Sequence, residues 1–261
     1  MLWYKAWLET RFRFLIGAAL VCALCAFFVL GNPFILGTWS EHQQLHPAEA
    51  ELPWILRATT DYPYFIWHFL FARLLQQLWV LFAVIIGLGG LSRESAQGTA
   101  GFILSLPLSR RRIVCVRAAL GGIEVAVLGL IPAIAIPALS IFIGKPYPAF
   151  QAVSHALLMV LGGLVFFGLG VMLSTAIQSE HTPALIGVAI VLLFYFFLSP
   201  YTDDGVIEPL WIKLLDVSRV MAGTPALSSF STYPLRGICI SLLTACGLFY
   251  LSLRMTEKRD Y

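Results

Sequence analysis

Long apolar runs separated by short polar stretches dominate the chain. A helix needs about 20 predominantly apolar residues to cross a bilayer. Six runs approach or exceed that length: residues 14–36, 69–91, 117–143, 152–177, 182–198 and 237–253. The third run contains one acid, Glu124, and two prolines, Pro132 and Pro137. The pattern predicts an all-α integral membrane protein of six transmembrane helices in one domain, residues 1–261.

Three segments outside these runs carry patterns of their own. In "MLWYKAWLETRFRF", Trp3 and Trp7 share a helical face, and Lys5 and Glu9 point away from it. Tryptophans beside basic residues mark a helix in the headgroup layer, here expected to enter the first span at an angle. The run 14–36 exceeds the roughly 7–15 apolar residues of a signal peptide, so it reads as an uncleaved span. Residues 37–68 and 199–236 form two larger outer segments. The first is polar and acidic, with Pro47, Pro53 and Pro63. The second predicts a short helix that starts at Glu208-Pro209 and stops at Gly223, and that serves as a lid or in gating.

Composition supports the membrane reading. Hydrophobic residues make up 59% of the chain and charged residues 12%, against about 25% charged in soluble domains. A net charge of +3 is too small to indicate a nucleic-acid partner. The five cysteines include Cys22 and Cys25 at CxxC spacing, but within an apolar run and without nearby His or acid they read as small core residues. Basic residues set the orientation. With the N-terminus inside, eleven of the 17 Lys and Arg residues fall on the cytoplasmic side. The positive-inside rule then places both termini in the cytoplasm.

No phosphate loop, HExxH or GxSxG pattern occurs, so the chain is expected to have no catalytic residues of its own. Polar residues inside spans are candidates for function. Glu124 lies on the same face as Arg117, about 10 Å along the helix. It reads as one half of a structural pair with a basic residue at that mouth, or as a gate or pathway group. Pro132 and Pro137 each remove a backbone donor and kink the third span, for shape or for movement. His155 and His181, near span ends, are expected to reach water, and Gln76 and Gln77 to join helices. Nothing has metal-ligand spacing.

One segment fits neither span nor surface loop: residues 93–114, "RESAQGTAGFILSLPLSRRRIV". The orientation places it in the cytoplasm. Ser92 can cap a helix start and Glu94 suits the positive end of its dipole. Phe102, Ile103, Leu104 and Leu106 form an apolar surface, and Pro107 forces a turn. Ser109 can cap the next helix, which leaves Arg110, Arg111 and Arg112 at the lipid phosphates. Apolar surface held in the cytoplasm needs a cover of lipid or protein.

Glu94, Gly98, Thr99, Leu104, Pro107, Ser109, Arg110 and Ile113, with Arg117 beyond, resemble the cytoplasmic motif of type-2 ABC transporter permeases, the membrane subunits of ABC exporters. The six-span layout, interfacial N-terminal helix and outer helix before the last span are also similar. The resemblance implies that Glu94–Arg110, with Phe102, Leu104 and Leu106, form a coupling helix docked on a separate ABC ATP-binding subunit. It implies two permeases, identical or paralogous, with two ATPases that bind ATP and Mg. It also implies the plasma (inner) membrane of a prokaryote. Two other readings stand beside it: a scaffold or sensor that engages an ATPase without transport, and an intramembrane enzyme or ion-driven carrier using Glu124 and His155.

Overall fold

The computed structural model describes residues 2–45, 53–88, 110–177, 179, 182–197, 217–225, 227 and 233–258. All regular structure among them is helical. The chain opens with α1 (Leu2–Leu30), α2 (Asn32–Leu45), α3 (Pro53–Thr60) and α4 (Tyr62–Phe65). A π-helix (Ile66–Leu75) and α5 (Gln76–Gly87) continue without interruption from α4. Then follow α6 (Arg110–Phe142), α7 (Ala149–Ala176), α8 (Thr182–Phe197), α9 (Val217–Ala222) and α10 (Leu235–Lys258). Among the described residues five helices are long and apolar enough to cross a membrane: α1, Tyr62–Gly87, α6, α7 and α10. With 16 residues, α8 is about 24 Å long, shorter than a hydrocarbon core of about 30 Å.

Successive long helices alternate in direction. The "near end" of the bundle is the one that holds the N-terminus of α1, the start of α6 and the C-terminus of α10. The "far end" holds Gly31, Tyr62 and the α6–α7 connection. Large apolar side chains such as Ile134, Phe142 and Leu243 are more than 70% exposed, a surface suited to lipid or to another protein.

Two expectations change here. The N-terminal segment and the first span form one helix, Leu2–Leu30, not two joined at an angle. At about 43 Å it is longer than a hydrocarbon core of about 30 Å. The stretch 37–68 also contains far more helix than a loop. Gly31 joins α1 to α2 through backbone bonds to Phe27 and from Ile35, both 2.9 Å. The second span begins at Tyr62. The expected stop at Gly223 holds: its φ is +61°, a conformation that favours glycine, and its N–H caps Arg219 O at 2.9 Å. The expected start of that helix at Glu208-Pro209 lies outside the described residues.

Trp79 is fully buried at the bundle centre. Its Nε1–H donates to Val125 O at 3.0 Å. A Cβ on either Gly129 or Gly163 would strike its ring. Small residues thus create the space the indole fills, as expected where helix association in lipid depends on close packing. Toward the near end the second and fourth spans touch backbone to backbone. A Cβ on Gly87 would lie 2.7 Å from Phe167 O, and one on Gly170 would lie 2.6 Å from Val84 O.

At the far end Lys145 Nζ donates to Asn32 Oδ1 at 3.0 Å, and Tyr62 shares a hydrogen bond with Ser140 at 2.7 Å. Tyr147, in the α6–α7 connection, is buried, and loss of solvation pushes its phenol above the usual tyrosine range.

Candidate functional site

Most of the expected coupling residues, Glu94, Gly98, Thr99, Phe102, Leu104, Leu106, Pro107 and Ser109, lie outside the described residues. Their two roots are described. One is the end of α5, where Leu88 N–H bonds Val84 O at 3.0 Å. The other is the start of α6 at Arg110, with Ile113 buried one turn later. Arg111 and Arg112 are exposed at the near end.

A polar cluster joins both roots to α1. Arg13 Nη1 donates to Ile85 O at 2.9 Å, the last turn of the second span. Arg117 Nη2 donates to Glu9 Oε1 at 3.1 Å, and Lys5 approaches the same carboxylate at 3.9 Å. Thr10 Oγ1 donates to Glu124 Oε1 at 2.5 Å. Thr10 Oγ1 is also 3.2 Å from Ala6 O, and its single proton serves the shorter contact. The other carboxyl oxygen, Glu124 Oε2, is buried without a hydrogen bond. Beside this cluster is a cavity of about 30 Å³ lined in part by Glu9, Thr10, Gly87, Arg117 and Thr175, room for about two waters.

The sequence leads one to expect that Glu124 pairs with a basic residue at this mouth or acts as a gate or pathway group. Its hydrogen-bond partner is Thr10, and Arg117, two turns earlier on α6, bonds Glu9. Both partners lie on α1, which packs along α6. Sequence reasoning treated Glu9 as a solvent-side residue and did not single out Thr10. The only signal was a lone acid beside a hydroxyl among basic residues. Because Glu9 is about one-third exposed, Glu9→Gln is expected to cost no more than about 0.2–1 kcal/mol, the range of exposed ion pairs. Thermal unfolding in detergent measures this.

Pro132 and Pro137 lie inside α6, which continues through both. The carbonyls four residues earlier, Leu128 and Ala133, lose their helical donor there. His155 does not reach water. It is fully buried and stacks on Phe71 with centroids 5.1 Å apart. Its Nδ1 lies 2.8 Å from Gln151 O and its Nε2 lies 3.1 Å from Thr224 O. Gln76 joins helices as expected, donating to Ser218 O at 3.2 Å. His181 lies outside the described residues. Cys22 and Cys25 are free thiols, with Cys25 buried. Among the described residues no three His, Cys, Asp or Glu side chains group as metal ligands.

A helical bundle with five helices long and apolar enough to cross a bilayer, among the described residues, is an all-α membrane protein. Residues 11–210 match the family model described as ABC-2 family transporter protein. That match covers more than half of the chain, and the protein belongs to this family. It is a permease subunit of an ABC transporter, and membership implies an ATP-binding partner subunit. No curated protein matches the chain.

Proposed function

We propose that the chain is the permease of an ATP-driven exporter and that segment 93–114 docks on its ATP-binding subunit. The family match carries this reading, because residues 11–210 include the whole of that segment. ATP and Mg are held by the partner, and this chain performs no bond chemistry. Two permeases, identical or paralogous, assemble with two ATPases in the plasma (inner) membrane of a prokaryote. The near end, which carries Lys5, Arg13, Arg111, Arg112, Arg117 and Arg254, faces the cytoplasm. Helix α8, without a charged residue and packed on Val84 and Leu173 through Gly187, serves as the sixth span.

In this mechanism ATP binding moves segment 93–114. The bracing around Gly87 and Arg117 passes that movement into the second and third spans. The transporter selects between two arrangements of the bundle. Leu104→Asp or Leu106→Asp is expected to abolish co-purification of the ATPase and transport together. Unchanged association with unchanged transport would falsify the docking assignment. Substrate-stimulated ATPase activity in liposomes separates an exporter from a scaffold or sensor. Against an intramembrane enzyme or carrier, Glu124 bonds near-end Thr10 whereas His155 bonds far-end Thr224, so the two do not share a site.

A further inference from the structure

The second span holds the outer helix α9 with two side chains whose spacing does not suit an α-helix. Trp67 Nε1 donates to Ala222 O at 2.9 Å, and Gln76 Nε2 donates to Ser218 O at 3.2 Å. Ser218 and Ala222 are four residues apart, on one face of α9. Trp67 and Gln76 are nine residues apart. In an α-helix nine residues make 2.5 turns, which puts the two side chains on opposite faces. The intervening residues form the π-helix Ile66–Leu75. Hydrogen bonds from i to i+5 take roughly 4.4 residues per turn, so nine residues make about two full turns. Both side chains then face α9. His155 supplies a third attachment from α7, at Thr224 O.

We propose that the π-helix is a register switch that latches the outer helix. In the π register Trp67 and Gln76 hold α9 together. In the α register one of the two bonds is lost, because the lower half of the span turns relative to the upper half. Gln76 also opens α5, whose other end is a root of segment 93–114. Taken with the exporter reading, on which this step rests, the second span links the cytoplasmic motor to the outer lid through a change of helical register. Ten residues is long for a π-helix, since most are single-turn bulges and many sit at functional sites.

Amide hydrogen exchange of residues 217–223, in the full chain in lipid nanodiscs, tests the latch. Trp67→Phe and Gln76→Leu should each raise exchange about fivefold or more, the scale of one hydrogen bond. Deleting the exposed Leu74 shortens the span by one residue and so shifts it toward the α register. It should raise exchange similarly, and Gln76→Leu should then add nothing. In that background Leu75→Gln, now seven residues after Trp67 and on its face in an α-helix, should restore protection. Unchanged exchange in both point variants overturns the latch, as does a full added effect of Gln76→Leu on the deletion. If the deletion variant does not assemble, the point variants decide, and an effect from only one of them overturns the shared latch. With the ATP-binding subunit bound, ATP should raise exchange of 66–75 and 217–223 together. Bound subunit with no change overturns the coupling but not the latch, and failure of the subunit to bind overturns the exporter reading.

Discussion

Alanine at Gly170 should destabilise the bundle severely, and no side-chain change should rescue it. The added Cβ would lie 2.6 Å from Val84 O and 3.2 Å from Gly87 Cα. Those are backbone atoms of a packed span and cannot swing aside. The expected cost is at the upper end of the roughly 1–3 kcal/mol of an overpacked core, or beyond it. Gly163→Ala provides the contrast. Its Cβ would strike the Trp79 ring and lie 2.8 Å from Met221 Cε, both side-chain atoms. Measured against Trp79→Leu alone, Gly163→Ala should become much less costly, while Gly170→Ala keeps its full effect. Thermal unfolding in detergent of the three single variants and the two doubles with Trp79→Leu gives the coupling directly. Equal rescue of both glycine variants would show that the two contacts do not differ in kind.

Charge reversal at Glu124 should be the most damaging polar change. Lysine there would bury a cation where Glu124 now accepts a hydrogen bond from Thr10, a loss of several kcal/mol. Glu124→Gln should be mild, about 1 kcal/mol or less, because the amide oxygen still accepts from Thr10. The Gln variant also separates the two roles considered for this residue. Wild-type stability with lost transport assigns the work to the charge. Wild-type stability with retained transport makes Glu124 a joint between α1 and α6.

The long spans were legible because a bilayer demands lengths of apolar residues that few soluble helices have. The run beginning near Arg117 became α6, and that at 152–177 became α7, within a few residues except where α6 extends back to Arg110. Gly223 as a stop was legible because a positive φ at a helix end favours glycine. The start of the second span was not. Tyr62–Ile66 looks like a proline-marked loop entry, and only its packing, with Phe65 and Ile66 fully buried, makes it span. The near-end cluster was half visible. Glu124 stood out as an acid in an apolar run, but its partner Thr10 lies 114 residues away, and no periodicity spans that distance.

By itself the sequence determined the medium and the helical class, and it suggested the orientation and the candidate coupling segment. Each follows from local composition: apolar length, basic clustering, and the order of Gly, Pro and Ser/Arg around a short apolar run. Tertiary structure alone decided which polar groups meet. It paired Arg117 with Glu9 and Glu124 with Thr10, and it seated Trp79 over Gly129 and Gly163. It also set the register of the second span. Eight of the ten residues 66–75 are apolar, so no apolar stripe distinguishes a π-helix from an α-helix there, and only the reach of Trp67 and Gln76 to α9 sets the two apart.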